Sequence, residues 1–413
     1  MDINDLKFLT SPEGQQILNR YSDLNNKELD NLAFKLQKDR VKHYAAIITL
    51  LELRLKSKEK FSRSNEMFFT PMGFEQSTGE VIAKYIAERF QKNLDFGTTH
   101  VRRDRTVSCP NEGGKIVDLT SGIGGNTIFL AKENKVLAIE NNPVILECAK
   151  LNARSHGVEK NIEFVLGNAE DNIIKDAAAF FIDPARDREG KTKTRSIINS
   201  RPNIIELLPK IFDVTKNVCI KISPAFDYKE LANLAIDPEV EVISEDNVVK
   251  VVLLWFGNFK TCKRRATCIK AGVTYTLTDK EETLIPISEI KKYIYEPDKA
   301  IIKAHLIDEV AEEFYLKKID SHVGFLTSDE LIKNKQLFRI FTVLDSLNFS
   351  LKRLKKYLKE NNIKRANIIT RAFPVQVEDL YKQLKIKEGA EKYFIFTTIN
   401  KQRICMICER MFA

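Results

Sequence analysis

The 413-residue chain has no apolar run near the roughly 20 residues that a membrane-spanning helix needs, so no membrane partner is expected. Its first ten residues, MDINDLKFLT, lack the basic region and long apolar stretch of a secretory signal. Seven cysteines, an odd number without framework-like spacing, argue against a disulfide scaffold and for a reducing compartment. Cytoplasm is the expected location. The five histidines are scattered singly, and none sits in a motif that asks for a general base. Cys405-x-x-Cys408 offers half of a zinc site, whose other half would have to be Cys262 and Cys268. The surrounding RICMICERMF reads as a buried strand instead, and no metal is expected. The single tryptophan, Trp255 in VVLLWFG, reads as strand core. Neither a fixed-period repeat nor a low-complexity tract is present.

What is there is the composition of a globular protein, 43% apolar and 30% charged, with length for two to four domains. The net charge of +9 is unevenly placed. Residues 341–413 hold 15 Lys and Arg against 7 Asp and Glu, so nearly all the excess lies there. A basic terminal region on a nearly neutral body suits a polyanion, most simply nucleic acid. A solvated lysine-rich helix face is the plain alternative.

Residues 1 to about 65 place leucines and isoleucines at helical spacing, for example Leu29, Leu32 and Leu36. TPMGFEQSTGE interrupts, and VIAKYIAERF starts another amphipathic helix. From Lys115 short β-branched runs alternate with helical segments: KIVDL, KVLAIE, IEFVLG, AAFFIDP, VCIKIS, EVEVIS and VVLLWFG. That alternation predicts an α/β fold with a doubly wound, mainly parallel sheet. Near Asn258 it ends, and KTCKRRATC reads as a basic connector.

The first strand runs into VDLTSGIGGNTIFLA, a glycine turn opening a helix. Gly122, Gly124 and Gly125 stand in a G-x-G-G arrangement, with Asp118 four residues before the first. A dinucleotide site prefers G-x-G-x-x-G around its pyrophosphate, and the last position here is Thr127. There is no Walker lysine either. The second strand ends in Glu140, eighteen residues after Gly122, where a carboxylate accepts hydrogen bonds from a ribose. A close-approach turn, a helix N-terminus and a ribose acid without a phosphate site suit S-adenosylmethionine.

On these residues the chain resembles the class I S-adenosylmethionine-dependent methyltransferases over roughly residues 115–257. VDLTSGIGGNT is similar to their first motif and is especially close to the trimethylguanosine synthases, which methylate an exocyclic guanine nitrogen. The resemblance implies a cofactor site of Asp118, Thr120, Gly122, Gly124, Gly125, Glu140, Asn141, Asn168 and Ala169, with Asn168 standing where the family often has aspartate. It implies a Rossmann-like sheet with a reversed last hairpin. FFIDPAR resembles the fourth motif and assigns catalysis to Asp183 and Pro184. Amine methyltransferases commonly follow with a second proline and an aromatic that stacks on the base; here Ala185 and Arg186 follow. An arginine plane can stack or hold a phosphate. Arg186, Lys221 and Ser223 are the expected substrate contacts. The loop with Arg186, Arg188, Lys191, Lys193 and Arg195 could track a phosphate backbone or be an ordinary solvated loop. Lys221 could equally point to solvent. Methylation of pyrimidine C5 needs a cysteine nucleophile, and Cys219 reads as a buried strand residue. Glu75-Gln76-Ser77 reads as a helix cap.

The C-terminal part, from YIYEPDKAIIKAHLIDEVAEEF onward, resembles bacterial methyltransferases with a ferredoxin-like module and then a THUMP-like domain. Together these readings give an N-terminal helical domain over 1–85, a methyltransferase domain over 86–258, a connector with ferredoxin-like module over 259–340 and a basic THUMP-like domain over 341–413. THUMP domains in other proteins bind RNA, which makes RNA the expected partner through Lys352, Arg353, Lys355, Lys356, Lys359, Lys364, Arg365 and Arg371. The expected function is methylation of a base in structured RNA. A non-catalytic RNA-binding protein on the same scaffold, or a methyltransferase for a protein or small molecule, are the alternatives.

Overall fold

A computed structural model describes residues 1–94, 114–186, 200–233, 237–281 and 284–411. The chain forms two compact units, one of residues 1–239 with 252–261 and one of 240–251 with 262–413.

The first unit opens with helices α1 (Ile3–Leu9), α2 (Pro12–Arg20), α3 (Asn26–Lys38), α4 (Tyr44–Ser57), α5 (Pro71–Gln76) and α6 (Glu80–Asn93). Local chemistry sets their starts. Asp2 with Asp5 and Asn25 with Glu28 form reciprocal capping boxes, while Ser11-Pro12 and Thr70-Pro71 pair a capping hydroxyl with proline at the first helical position. Their leucines share one buried cluster with Ile123, Ile145, Cys148 and Leu151 of the following sheet domain. Asn152, fully buried, crosses that boundary. Its side chain accepts from the Phe68 amide at 2.7 Å and donates to the carbonyls of Phe68 at 3.0 Å and Ile123 at 2.9 Å. Ser77 caps the end of α5, its amide donating to the Gly73 carbonyl and its hydroxyl to the Phe74 carbonyl at 2.9 Å, while the N-cap of α6 is Gly79 with no side-chain bond. Glu75-Gln76-Ser77 therefore closes α5 and does not start α6.

The sheet domain runs β1 (Lys115–Asp118), α7 (Thr127–Leu130), β2 (Val136–Glu140), α8 (Pro143–Ser155), β3 (Ile162–Leu166), β4 (Ala177–Ile182), the short hairpin β5 (Ala185–Arg186) and β6 (Ser200–Arg201), α9 (Ile204–Phe212) and β7 (Val218–Ile222); β8 (Glu239–Glu245) and β9 (Val248–Trp255) follow. Strands lie in the order β9-β7-β4-β1-β2-β3. All pair in parallel except β9, which runs antiparallel to β7 with Cys219 opposite Trp255. The doubly wound sheet with a reversed last hairpin is therefore what forms. Strand β4 is buried almost throughout, the continuous apolar run that a parallel strand covered on both faces requires.

A charged pair is buried inside this unit. Arg89 on α6 donates to Glu239 at 2.5 Å and to the Phe259 carbonyl at 2.8 Å, with its guanidinium 4.3 Å from the Trp255 ring centre. The other Glu239 oxygen accepts from the amide of Thr261 at 2.8 Å. Neither charge reaches water appreciably, and removing one partner strands the other.

In the second unit β10 (Arg264–Lys270) pairs in parallel with β8 and antiparallel with β11 (Val273–Thr278). Much of the expected connector KTCKRRATC is thus strand. Two arginines at its start hide the pattern, but Ala266, Thr267, Cys268 and Ile269 are all buried. The chain continues through β12 (Tyr293–Pro297), α10 (Lys299–Lys303), α11 (Ile307–Glu313), β13 (Lys317–Lys318), β14 (Leu326–Ser328), β15 (Phe338–Asn348), α12 (Leu351–Glu360), β16 (Asn367–Arg371), α13 (Val377–Leu384), β17 (Lys392–Ile399) and β18 (Gln402–Arg410). These strands form one sheet in the order β13-β14-β12-β15-β18-β17-β16. Long strand β15 joins its two ends, pairing with β12 through residues 338–342 and with β18 through residues 341–348. Leu354, Leu358, Leu380 and Leu384 of α12 and α13 pack on one face with Cys405, while Cys408 belongs to the cluster on the other face with Ile294, Phe341 and Ile395. Three residues apart on a strand, the two thiols point to opposite faces and cannot grip one ion.

Replacing Arg89 by Met should leave Glu239 buried without its cation and lower stability by about 3–5 kcal/mol. Urea unfolding of the variant measures this; a loss below about 1 kcal/mol would show that water reaches the pair.

Candidate active site

Parallel strands aim their carboxyl ends at one edge, and here that edge collects Asp118, Glu140, Asp183 and Lys221 from β1, β2, β4 and β7. Asp118 is buried at the end of β1. One oxygen accepts from the Thr120 amide at 3.2 Å and the other from the Thr127 hydroxyl at 2.6 Å. Thr127, the residue standing where a dinucleotide motif has its third glycine, thus belongs to the site's frame. A hydroxyl at the start of the helix, nine residues after an acid, was the signal for it.

The turn between them needs its glycines for separate reasons. Gly122 has φ +55° and Gly124 φ +90°, both in the left-handed region. A Cβ on Gly122 would project into open space, the side from which a ligand could approach. A Cβ on Gly125 would lie 3.2 Å from the Thr78 carbonyl, so that glycine serves packing. Asn126 donates to the Thr78 hydroxyl at 2.8 Å. Ser121 Oγ and Asn126 Oδ1 are buried in the same turn without a hydrogen-bond partner. Nothing in the motif pointed to Thr78, which approaches from the helical domain.

Glu140 faces the turn. Its Oε2 accepts from the Gly122 amide at 3.1 Å and its Oε1 from the Asn142 amide at 2.9 Å. Each oxygen keeps a further lone pair, which leaves the carboxylate able to accept from two ribose hydroxyls. Asn141 is exposed beside it, and Asn142 caps α8. After β3, Asn168 is exposed and Ala169 buried; the Asn168 side chain lies 3.5 Å from Asp171. Thr120, the remaining member of the expected set, accepts from the Asp183 amide at 2.6 Å.

Asp183 and Pro184 leave the end of β4. Lys221 donates to Asp183 Oδ2 at 2.5 Å, with both side chains largely buried. Lys221 therefore holds the acid instead of pointing to solvent or awaiting a phosphate. Ser223 accepts from the Ala225 amide at 3.2 Å, a turn contact. Ala185 pairs with Arg201 and Arg186 with Ser200. The Arg186 side chain, with Arg188, Lys191, Lys193 and Arg195, lies outside the described residues. Cys219 is fully buried within β7, as is Cys148 in α8.

Burial pushes the Asp118 carboxyl up to about 7, with the nearby carboxylates of Asp183 and Glu140 adding to the rise. Burial also raises Glu140, against three backbone amides that lower it. Asp183 is paired with Lys221 and Asp118 keeps its proton up to about pH 7, so Glu140 is the acid at this edge left to attract a cation. An open glycine turn, an acid with lone pairs to spare and unpartnered polar atoms suit S-adenosylmethionine, which brings a sulfonium and two ribose hydroxyls.

Comparisons with known proteins agree with this geometry. A family described as RNA cap guanine-N2 methyltransferase matches residues 113–204, a ferredoxin-like domain matches 293–334 and a THUMP domain-like family matches 338–410. An uncharacterized S-adenosylmethionine-dependent methyltransferase of Mycobacterium tuberculosis is 24% identical over 81% of this chain and 86% of its own length. A 23S rRNA (uracil(747)-C(5))-methyltransferase of Pyrococcus horikoshii is 35% identical over 23% of this chain and 22% of its own. The crystal structure of a provisionally named methyltransferase from Porphyromonas gingivalis W83 superposes with a TM-score of 0.72 at 22% identity, over 94% of this chain and all of that one.

Replacing Glu140 by Ala should weaken S-adenosylhomocysteine binding by about 1–3 kcal/mol, because ribose hydroxyls would enter the site unpaired. Calorimetry measures it, and unchanged affinity would remove Glu140 from the site. A second measurement reads Asp118. Its folded value lies above the unfolded one of 3.8. The folded state therefore holds the extra proton between about pH 4 and 7, and stability falls as pH rises through that window. Asp118→Asn removes the dependence. Relative to the variant, the parent should lose on the order of 3 kcal/mol from pH 4 to pH 7.5 in denaturant unfolding; parallel curves would show Asp118 ionised throughout.

Proposed function

We infer that this chain, an S-adenosylmethionine-dependent methyltransferase of class I, methylates an exocyclic amine of a base in structured RNA. The observation that carries the reading is the placement of Asp183. Its main-chain amide is tied to Thr120, its Oδ2 is held by Lys221, and Oδ1 has no partner among the described residues. A carboxylate fixed at one oxygen and open at the other accepts an N–H of an approaching amine. That orients the nitrogen lone pair along a set direction, which is catalysis mainly by positioning. The bound cofactor supplies an electrophilic methyl group. As the new N–C bond forms, the amine loses a proton, and Asp183 Oδ1 is the acceptor at hand.

Pyrimidine C5 chemistry, the activity in the Pyrococcus relative's name, fits less well. It requires an accessible thiolate, and Cys148 and Cys219 are both fully buried in this unit; Cys109 lies outside the described residues. The family matching residues 113–204 is described by guanine N2, an exocyclic amine.

RNA as the carrier of that base is supported by the second unit. Helix α12 buries Leu354 and Leu358 and exposes Lys352, Arg353, Lys355, Lys356 and Lys359; Lys364 is exposed just beyond it. Two members of the expected basic cluster have structural partners. Arg371 donates to buried Glu296 at 2.7 Å, and Arg365 donates to the Glu388 carbonyl at 3.1 Å. Of the other six, Lys356 lies 3.7 Å from Glu360 in an exposed pair, and the six together form a cationic stretch that suits a phosphate backbone. A cytoplasmic site of action accords with such a substrate, and no helix among the described residues is long and apolar enough to cross a membrane.

Incubation with labelled S-adenosylmethionine and total RNA from a strain lacking the gene should place label in RNA. Asp183→Ala should lower transfer by about 10²–10⁴-fold while S-adenosylhomocysteine still binds. Changing the five cations of α12 to Gln should flatten the salt dependence of RNA binding without unfolding the domain, since none is buried. Label confined to protein or to a metabolite would overturn the RNA reading, and no label in any fraction would overturn the catalytic one.

A further inference from the structure

The second unit contains a pocket of about 210 Å³ formed at the start of β15, the ends of β10 and β18 and the turn before β15. Four of its lining side chains are cationic, Lys270, Lys335, Arg339 and Arg410, against one carboxylate, Asp298. That carboxylate is engaged, because Oδ1 accepts from the Ser244 hydroxyl at 2.5 Å and the Ala300 amide at 2.8 Å. Arg339 is engaged too, paired with buried Glu296. The lysines are different. Lys270 donates to the main-chain carbonyl of Lys335 at 2.8 Å, and neither ammonium has an ion-pair partner among the described residues. Two such ammonium groups thus border one cavity, and an anion in it would be attracted by both.

The shape narrows the anion. The cavity is smaller than the roughly 300–1,000 Å³ of pockets that enclose whole ligands, so it admits a group and not a nucleotide. Its aromatic lining residue, Phe338, is buried with its ring packed edge-on against Tyr295 and Phe314, at centroid distances of 5.6 and 5.4 Å. That leaves no ring face for a base. We propose that this pocket binds a phosphate of an RNA backbone through Lys270 and Lys335, a contact that positions the nucleic acid and reads no sequence. It rests on the RNA reading above and adds a second phosphate-binding locus to the α12 face.

The test compares the full-length protein with a Lys270→Gln/Lys335→Gln double variant and with the α12 variant, using unfractionated tRNA and inorganic phosphate as probes. The double variant should bind tRNA about tenfold more weakly, and its log K against log salt slope should be shallower by about 1–2, as for one or two lost phosphate contacts. Its thermal unfolding midpoint should be unchanged, and Lys270→Arg/Lys335→Arg should restore the slope. A slope equal to that of the parent while the α12 variant's slope falls would overturn the pocket and leave the RNA reading intact. If the parent binds no tRNA at low salt, the RNA reading itself fails. Calorimetric uptake of inorganic phosphate by the parent and not by the double variant would then assign the pocket to a free phosphate compound, which overturns the backbone as its source.

Discussion

A buried carboxylate with no charged partner of its own organises the first unit. Asp118 holds Thr127 with one oxygen and Thr120 with the other, and Thr120 in turn receives the Asp183 amide, whose side chain is clasped by Lys221. Three strand ends and the start of a helix are thereby joined in one run of hydrogen bonds. Burial works against the charged form of Asp118, so the frame holds because both of its oxygens have donors. The glycine turn and the Asp183 edge are two ends of one network, and Thr120, expected at the first, touches the second.

The sheet and the residues of the glycine turn were legible in the sequence because each follows from a local rule, while the reversed hairpin was expected only from the resemblance to the methyltransferases. Strands buried on both faces are continuous apolar runs, and positive φ demands glycine. What was not legible is contact across long separations. Asn152 reads as one polar position in an amphipathic helix, yet it fastens Phe68 to Ile123 across 84 and 29 residues. Glu239 reads as an ordinary charge at the start of a strand, and only the fold brings Arg89 to it. Thr78 belongs to a turn whose role appears once Gly125 is seen against it. Lys221 could be placed at the correct edge from its strand, while its partner could not.

In the C-terminal region the sequence conveyed composition better than architecture. Counting charges identified a basic segment but treated eight cations as equal. The fold separates them, because an arginine whose guanidinium reaches a buried carboxylate such as Glu296 has given up its attraction for an outside anion. The same reasoning runs the other way for KTCKRRATC, where charge suggested a connector and four consecutive buried side chains make a strand.

This separation bears on how a methyltransferase of this kind can hold a large polyanion without reading its sequence. Exposed lysines such as those on α12 are flexible point charges, and any phosphate contact they make would be one that salt readily screens. The lysine pair proposed at the half-open pocket before β15 would offer fewer contacts but a defined place for one of them. Diffuse attraction raises the rate of encounter, whereas a fixed phosphate sets where the remaining chain lies. Positioning catalysis of the kind proposed for Asp183 would need the second property more than the first, since a carboxylate held at one oxygen by Lys221 gains nothing from a base that arrives at random.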